Sequence, residues 1–228
     1  LPESIITKNQ IMMLDILANN NWERPIYFTG GSYEESEYIW MKDYLQLDGL
    51  VYKLVPIKTS IENNPYEMGR IDSDLMYDIV KKWSWGNSES DKIYHDPETR
   101  KNSISFRSNL SRLSEVLINE DKYEQAEEII DLAFSKMPID YYGYYSLWTP
   151  FVQAYYNINQ DNKAREAAEQ LSFKYSDKLN YFASLEIFNQ YDVGEEIISD
   201  IERFRNLIET IQSSGEKDIL SDQIKSFI

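Results

Sequence analysis

Residues 107–138 read RSNLSRLSEVLINEDKYEQAEEIIDLAFSKMP, and this stretch decides the fold. Apolar or small residues fall at Leu110, Leu113, Leu117, Tyr123, Ala126, Ile130, Ala133 and Pro138. Steps of three, four and seven place them on one helical face either side of a polar break, NEDK. The stretch therefore predicts two helices joined by a short turn. A second stretch with the same plan covers 145–176, YSLWTPFVQAYYNINQDNKAREAAEQLSFKYS. Trp148, Phe151, Tyr155, Ala164 and Ala168 take the equivalent positions, and Ala164 follows Ala126 by 38 residues. Such internal repetition is the strongest signal in the chain.

The pattern resembles the tetratricopeptide repeat, a helix–turn–helix unit of about 34 residues. In that family the first helix carries large residues, small residues in the second let the backbones approach, and Pro closes the unit. Ala126, Ala133 and Pro138 match this plan. The second unit departs from it: Ser176 stands where Pro is usual, Leu171 replaces a small residue, and Pro150 lies near the start of the first helix. A third pair, within 179–213, has helical periodicity without the motif and reads as a degenerate cap. The resemblance implies a concave surface that binds peptides or other domains, and two units make only a small groove.

Working outward, the first 100 residues mix helices and strands. TKNQIMMLDILA (7–18) reads as a helix capped by Thr7, RPIYF (24–28) as a short strand, and YEESEYIWMKDYLQL (33–47) as a second helix stopped by Asp48-Gly49. LVYKLVPI (50–57) reads as a second strand. Strand, helix and strand in succession predict a βαβ-like unit, most simply parallel. Residues from Asp72 to Trp85 form a further helix. The expected fold class is α+β, mostly α. A small βαβ-like unit over 1–100 packs on a tetratricopeptide-like array over 101–228, with hairpins at 107–138, 145–176 and 179–213.

The chain has 228 residues, of which 42% are hydrophobic and 14% aromatic, a globular composition. Its net charge of -16 repels phosphates, which argues against nucleic-acid binding. With no cysteine, disulfides, thiol catalysis and cysteine-ligated metals are excluded. With His95 as the single histidine, no multi-histidine metal site can form. No run of 18 apolar residues suggests a membrane span. The opening LPESIITKNQ reads as neither a start nor a signal peptide, so a piece of a longer chain is expected.

Several constellations carry a chemical reading. TGGSYEES (29–36) follows a strand and precedes a helix, as phosphate-binding turns do, but Glu34, Glu35 and Glu37 would oppose a phosphate. Gly30 and Gly31 then serve a tight turn. Asp72-Ser73-Asp74 resembles a metal-binding Asp-x-Asp element, yet its place before a helix favours capping. Asp96 could orient the adjacent His95 as a base, but with no nucleophile nearby in sequence an exposed loop histidine is expected. Trp83, Trp85, Tyr141, Tyr142, Tyr144 and Tyr145 bring aromatics together. They can stack on a peptide or a sugar, or pack as core and hinge. They are the candidate ligand-binding or partner-binding residues. No catalytic residue, metal ligand or cofactor is assigned.

A wider resemblance joins both halves. NNNWERPIYFTGG, GLVYKLVPI, IDSDLMYDI and KYEQAEEIIDLAFSKMP together are similar to the C-terminal soluble region of a bacterial family of multi-pass membrane proteins. That family is a domain of unknown function related to protein O-mannosyltransferases. The segment around Asn21, Trp22, Arg24, Pro25, Ile26, Tyr27 and Phe28 is its most specific mark. The resemblance implies that a membrane domain performs glycosyl transfer and that this region lies on the periplasmic face. The region would be a non-catalytic interaction domain, binding protein, peptide or glycan and its own membrane domain. The alternative is an independent soluble enzyme or carbohydrate-binding protein, with a site between the α/β unit and the helices.

Overall fold

The structure, a computed structural model, describes residues 6–29, 38–59, 68–186 and 193–215. It is α+β and mostly helical. The chain divides into two compact units, 1–83 and 84–228. The boundary expected near residue 100 instead falls inside one continuous helix.

In the first unit, helix α1 (Lys8–Asn20) starts at a capping box. The Thr7 hydroxyl accepts from Gln10 N, and the Gln10 side chain accepts from Thr7 N. Asn21 and Trp22, both at positive φ, end it. Strands β1 (Tyr27–Thr29), β2 (Leu45–Asp48) and β3 (Val51–Leu54) follow. They form an antiparallel sheet of order β1-β3-β2, not the expected parallel pair. The expected helix over 33–47 is also overturned in its described part, where a 3₁₀ turn at Ile39–Tyr44 leads straight into β2. The physical reason is local. Leu45 and Leu47 alternate with Gln46 and Asp48, and a two-residue loop reverses the chain. Gly49 opens that loop at φ 72, as a type II′ hairpin requires, so Asp48-Gly49 is a hairpin turn, not a helix stop. The TGGSYEES turn lies, from Gly30 onward, outside the described residues. Tyr38, Met41, Leu45 and Leu54 form the core of this unit, with Phe28 and Tyr52 stacked either side of Tyr38. Helix α2 (Ser73–Val80) buries Met76 and Val80, and the Asp72 carboxylate accepts from Leu75 N, which is the capping role.

The second unit is helical. Helix α3 (Pro97–Asn119) begins at Asp96, whose carboxylate accepts from Glu98 N and Thr99 N, with Pro97 at the first turn. Helix α4 (Tyr123–Lys136) returns along it. After a one-turn helix, α5 (Ile139–Tyr142), come α6 (Thr149–Asn157) and α7 (Asp161–Ser184), a second hairpin. Pro150 sits in the first turn of α6, where its missing N–H costs nothing. The 38-residue offset is visible in the backbone. Asp121 and Asn159 both adopt positive φ between paired helices. Lys122 N donates to Leu117 O as Gln160 N donates to Tyr155 O, both at 2.9 Å. Leu110, Leu113 and Leu117 meet Ala126, Ile130 and Ala133, all fully buried, and the alanines permit close helix approach. The break expected between the hairpins at 145–176 and 179–213 does not occur. The segment 175–178 holds neither Gly nor Pro, and α7 runs through it. The start of the expected third pair is therefore the end of α7, and the rest of its described part is one helix, α8 (Gly194–Ser213), on α6 and α7. Lys178 ties it to α7 through Glu196 at 2.7 Å and Asp200 at 2.6 Å.

Candidate functional site

The linker between the hairpins is organised by a cation that the sequence reading missed. Arg107, on α3, is fully buried without a carboxylate partner among the described residues. Its Nη1 donates to Gly143 O at 2.7 Å, and its Nη2 to the Ser103 hydroxyl at 2.8 Å. Its guanidinium lies 5.3 Å from the Trp148 ring centre and 5.9 Å from that of Tyr144. Carbonyl dipoles and ring faces thus stand in for an anion. Burial pushes its pKa down to about 10, so it remains charged at neutral pH.

Beside this pin lies a cavity of about 200 Å³. Ser84, Trp85 and Ser88 come from the loop before α3, Thr99, Asn102, Ser103 and Phe106 from α3, and Met137 and Tyr142 from the linker. The wall is tied in place. The Ser88 hydroxyl donates to Lys136 O at 2.7 Å, and the Tyr142 hydroxyl donates to Ser88 O at 3.0 Å. Lys136 also pairs with Glu89 at 2.7 Å. The Trp85 and Phe106 rings are tilted by 50° at 5.7 Å.

A larger groove of about 480 Å³ lies between α4 and α7, over Tyr155 of α6. Its floor is aromatic: Phe134 stacks on Tyr155 at 5.7 Å and on Trp148 at 4.5 Å. Its rim is charged. Lys163 Nζ lies 2.6 Å from Asp131 and 2.7 Å from Glu127, and the Tyr155 hydroxyl donates to Asp131 at 2.7 Å. Burial works against the Lys163 charge, but the bonds to Asp131 and Glu127 outweigh it and raise the pKa. For Tyr155, burial and then the Asp131 bond both push the phenol pKa up. The groove's Asp140 pairs with Lys174.

The six candidate aromatics do not form one cluster. Trp85 and Tyr142 share the cavity. Trp83 belongs to the first unit, where a methyl group added at Gly49 would stand 3.0 Å from its ring. Tyr141 stacks on His95 at 5.4 Å, and Tyr142 meets the same imidazole at 5.0 Å. His95 is thus half-buried between two tyrosines, with Nε2 3.0 Å from Ser90 O, not the exposed loop residue expected. Tyr144 is exposed over Arg107, and Tyr145 packs edge-on against Tyr175. Among the described residues no three His, Cys, Asp or Glu side chains converge as metal ligands would.

Residues 1–75 match the family model described as TMEM260-associated domain 2. That family is related to protein O-mannosyltransferases, and the similarity covers about the first third of the chain. The matched segment takes in α1, the sheet and the start of α2, and stops short of the cavity and the groove. No curated protein and no solved structure matches the chain. No helix among the described residues is long and apolar enough to cross a membrane.

Proposed function

We propose that this chain is a non-catalytic, extracytoplasmic interaction domain of a membrane protein related to protein O-mannosyltransferases, and that its helical unit takes an extended polypeptide in the groove between α4 and α7. The groove itself carries the reading. It is open, floored by Phe134 and Tyr155, and edged by side chains already fixed in place. An aromatic floor with a polar rim suits a peptide side chain and its backbone. Among the described residues, two of the three acids lining the groove are engaged, Asp131 with Glu127 on Lys163 and Asp140 on Lys174, which leaves Glu166 as a lone exposed carboxylate. The resemblance of the two hairpins to tetratricopeptide repeats supports the same use. The family match falls on the sheet unit, to which we assign the protein's own membrane domain as partner.

Peptide display on the whole 228-residue chain, followed by fluorescence anisotropy, tests this. Selected peptides should lose about tenfold or more in affinity when Glu166 and Gln170, exposed on the groove wall, are both changed to Arg. Unchanged affinity in that double variant, or no selected peptide, would overturn the reading.

A further inference from the structure

We infer that the cavity beside Trp85 is a binding site for a single pyranose ring of a neutral saccharide. The inference begins with a break in the helix pattern. Thr99, Asn102, Ser103 and Phe106 occupy steps of three, four and seven on α3, the spacing that elsewhere on this helix builds core. One turn on, Leu110, Leu113 and Leu117 obey it and are fully buried. Three of the four residues facing the cavity are instead hydroxyl or amide side chains. This stretch of α3 faces an open space lined with hydrogen-bonding groups.

The chemistry of the lining selects the ligand class. Among the described residues that line it, nine in all, none is Asp, Glu, Lys, Arg or His, although the chain carries 39 acids and 23 bases. An ion finds no counter-charge in the lining itself, and a purely apolar ligand would strip water from Ser84 and Asn102 without return. A sugar ring has both kinds of surface, a C–H face for an indole and equatorial hydroxyls for amides and hydroxyls. The size agrees. At about 200 Å³ the cavity lies below the roughly 300–1,000 Å³ of drug-sized sites, which leaves room for one ring.

The donors and acceptors divide into two sets. Ser88, Thr99, Ser103 and Tyr142 are spent on the frame: Ser88 on Lys136 O, Thr99 on the Asp96 carboxylate, Tyr142 on Ser88 O, and Ser103 on Arg100 O and the Arg107 guanidinium. They hold the walls and hardly move on binding. The Asn102 carboxamide and the Ser84 hydroxyl have no hydrogen-bond partner among the described residues, which leaves two exposed donor–acceptor groups in the lining. Buried Tyr142 thus frames the cavity, and Trp85 supplies the face.

Saturation-transfer NMR on the whole chain, with methyl pyranosides of gluco, manno and galacto configuration, tests the site. At least one glycoside should receive saturation at its ring C–H protons, with an affinity on the order of millimolar. Asn102→Ala should weaken that binding about fivefold to tenfold, and Trp85→Phe should reduce it, while far-UV circular dichroism stays unchanged. Asn102 is exposed on a helix, where Ala is well tolerated, so this variant keeps the test valid if Trp85 variants misfold. The Glu166/Gln170 double variant should bind the glycoside normally, which separates this site from the peptide groove. No saturation from any of the three glycosides, or saturation that Asn102→Ala leaves intact, would overturn the inference.

Discussion

Arg107 occupies a position where the helix pattern calls for a leucine, in line with Ser103, Leu110, Ser114 and Leu117 on the buried face of α3. Its fork pins Gly143 while its plane lies near two aromatic rings, so a point charge cannot replace it. Arg107→Met should lower stability by about 2 kcal/mol in urea unfolding, and Arg107→Lys should not restore it. Ionisation at this scale also sets a pH limit. Burial raises the phenol pKa values of Tyr155, Tyr175 and Tyr142 above the ordinary 10.0. From that value upward the unfolded chain has lost protons that the folded chain keeps, so stability falls as pH rises. Arg107, with its pKa lowered to about 10, acts in the opposite sense over the same range, but Lys163, Lys174 and Lys178, whose carboxylate partners raise their pKa values, add to the effect of the three tyrosines. The urea midpoint should therefore drop between roughly pH 9 and 11, and Tyr155→Phe should lessen the drop. A midpoint that holds steady or rises would contradict this account. Arg107 was hidden from the sequence because a charge inside an apolar stripe looks the same whether it is buried or turned to water. Trp85 and Tyr142 were legible as aromatics, but their shared cavity depends on where the loop before α3 is tied, which spacing does not reveal.

At the scale of elements, the two hairpins were readable because Leu–Ala complementarity is local and repeats. The sheet was not. EYIWMKDYLQL suits a helical period as well as a strand's, and the Asp48-Gly49 turn decides between them through φ, not hydropathy. Gly49→Ala should cost about 1–2 kcal/mol. It places a side chain at φ 72 and brings a methyl group to 3.0 Å from the Trp83 ring, and a thermal melt would register the loss. The turn between α6 and α7 predicts the converse. Asn159 holds φ 58 without glycine, so Asn159→Gly should stabilise the chain slightly, by up to about 1 kcal/mol. Ala126→Leu, in contrast, should lose about 1–3 kcal/mol, because the fully buried alanine is where α4 comes close to α3. The length of α7 also escaped the sequence reading, since polar residues at 176–178 resemble a break unless one asks whether a breaker is present.

At the scale of the whole molecule, the net charge of -16 acts on whatever approaches the groove. Asp131, Asp140 and Glu166 outnumber Lys163 in its lining, so a basic peptide is drawn in and an acidic one repelled. Selected peptides should accordingly carry Lys or Arg, and their association should slow as salt rises from low to physiological strength. The composition made a phosphate-bearing partner improbable from the start, but it could not say where on the surface a cationic partner would settle. That followed only from Phe134 and Tyr155 lying side by side beneath the Lys163 bridge. Amide hydrogen exchange of the whole chain, with and without a selected peptide, tests the proposed function most directly. Exchange should slow in α4 and in the first half of α7, with β1–β3 unaffected. Slowing confined to α8 or to the sheet, with α4 and α7 unchanged, would contradict the proposed function.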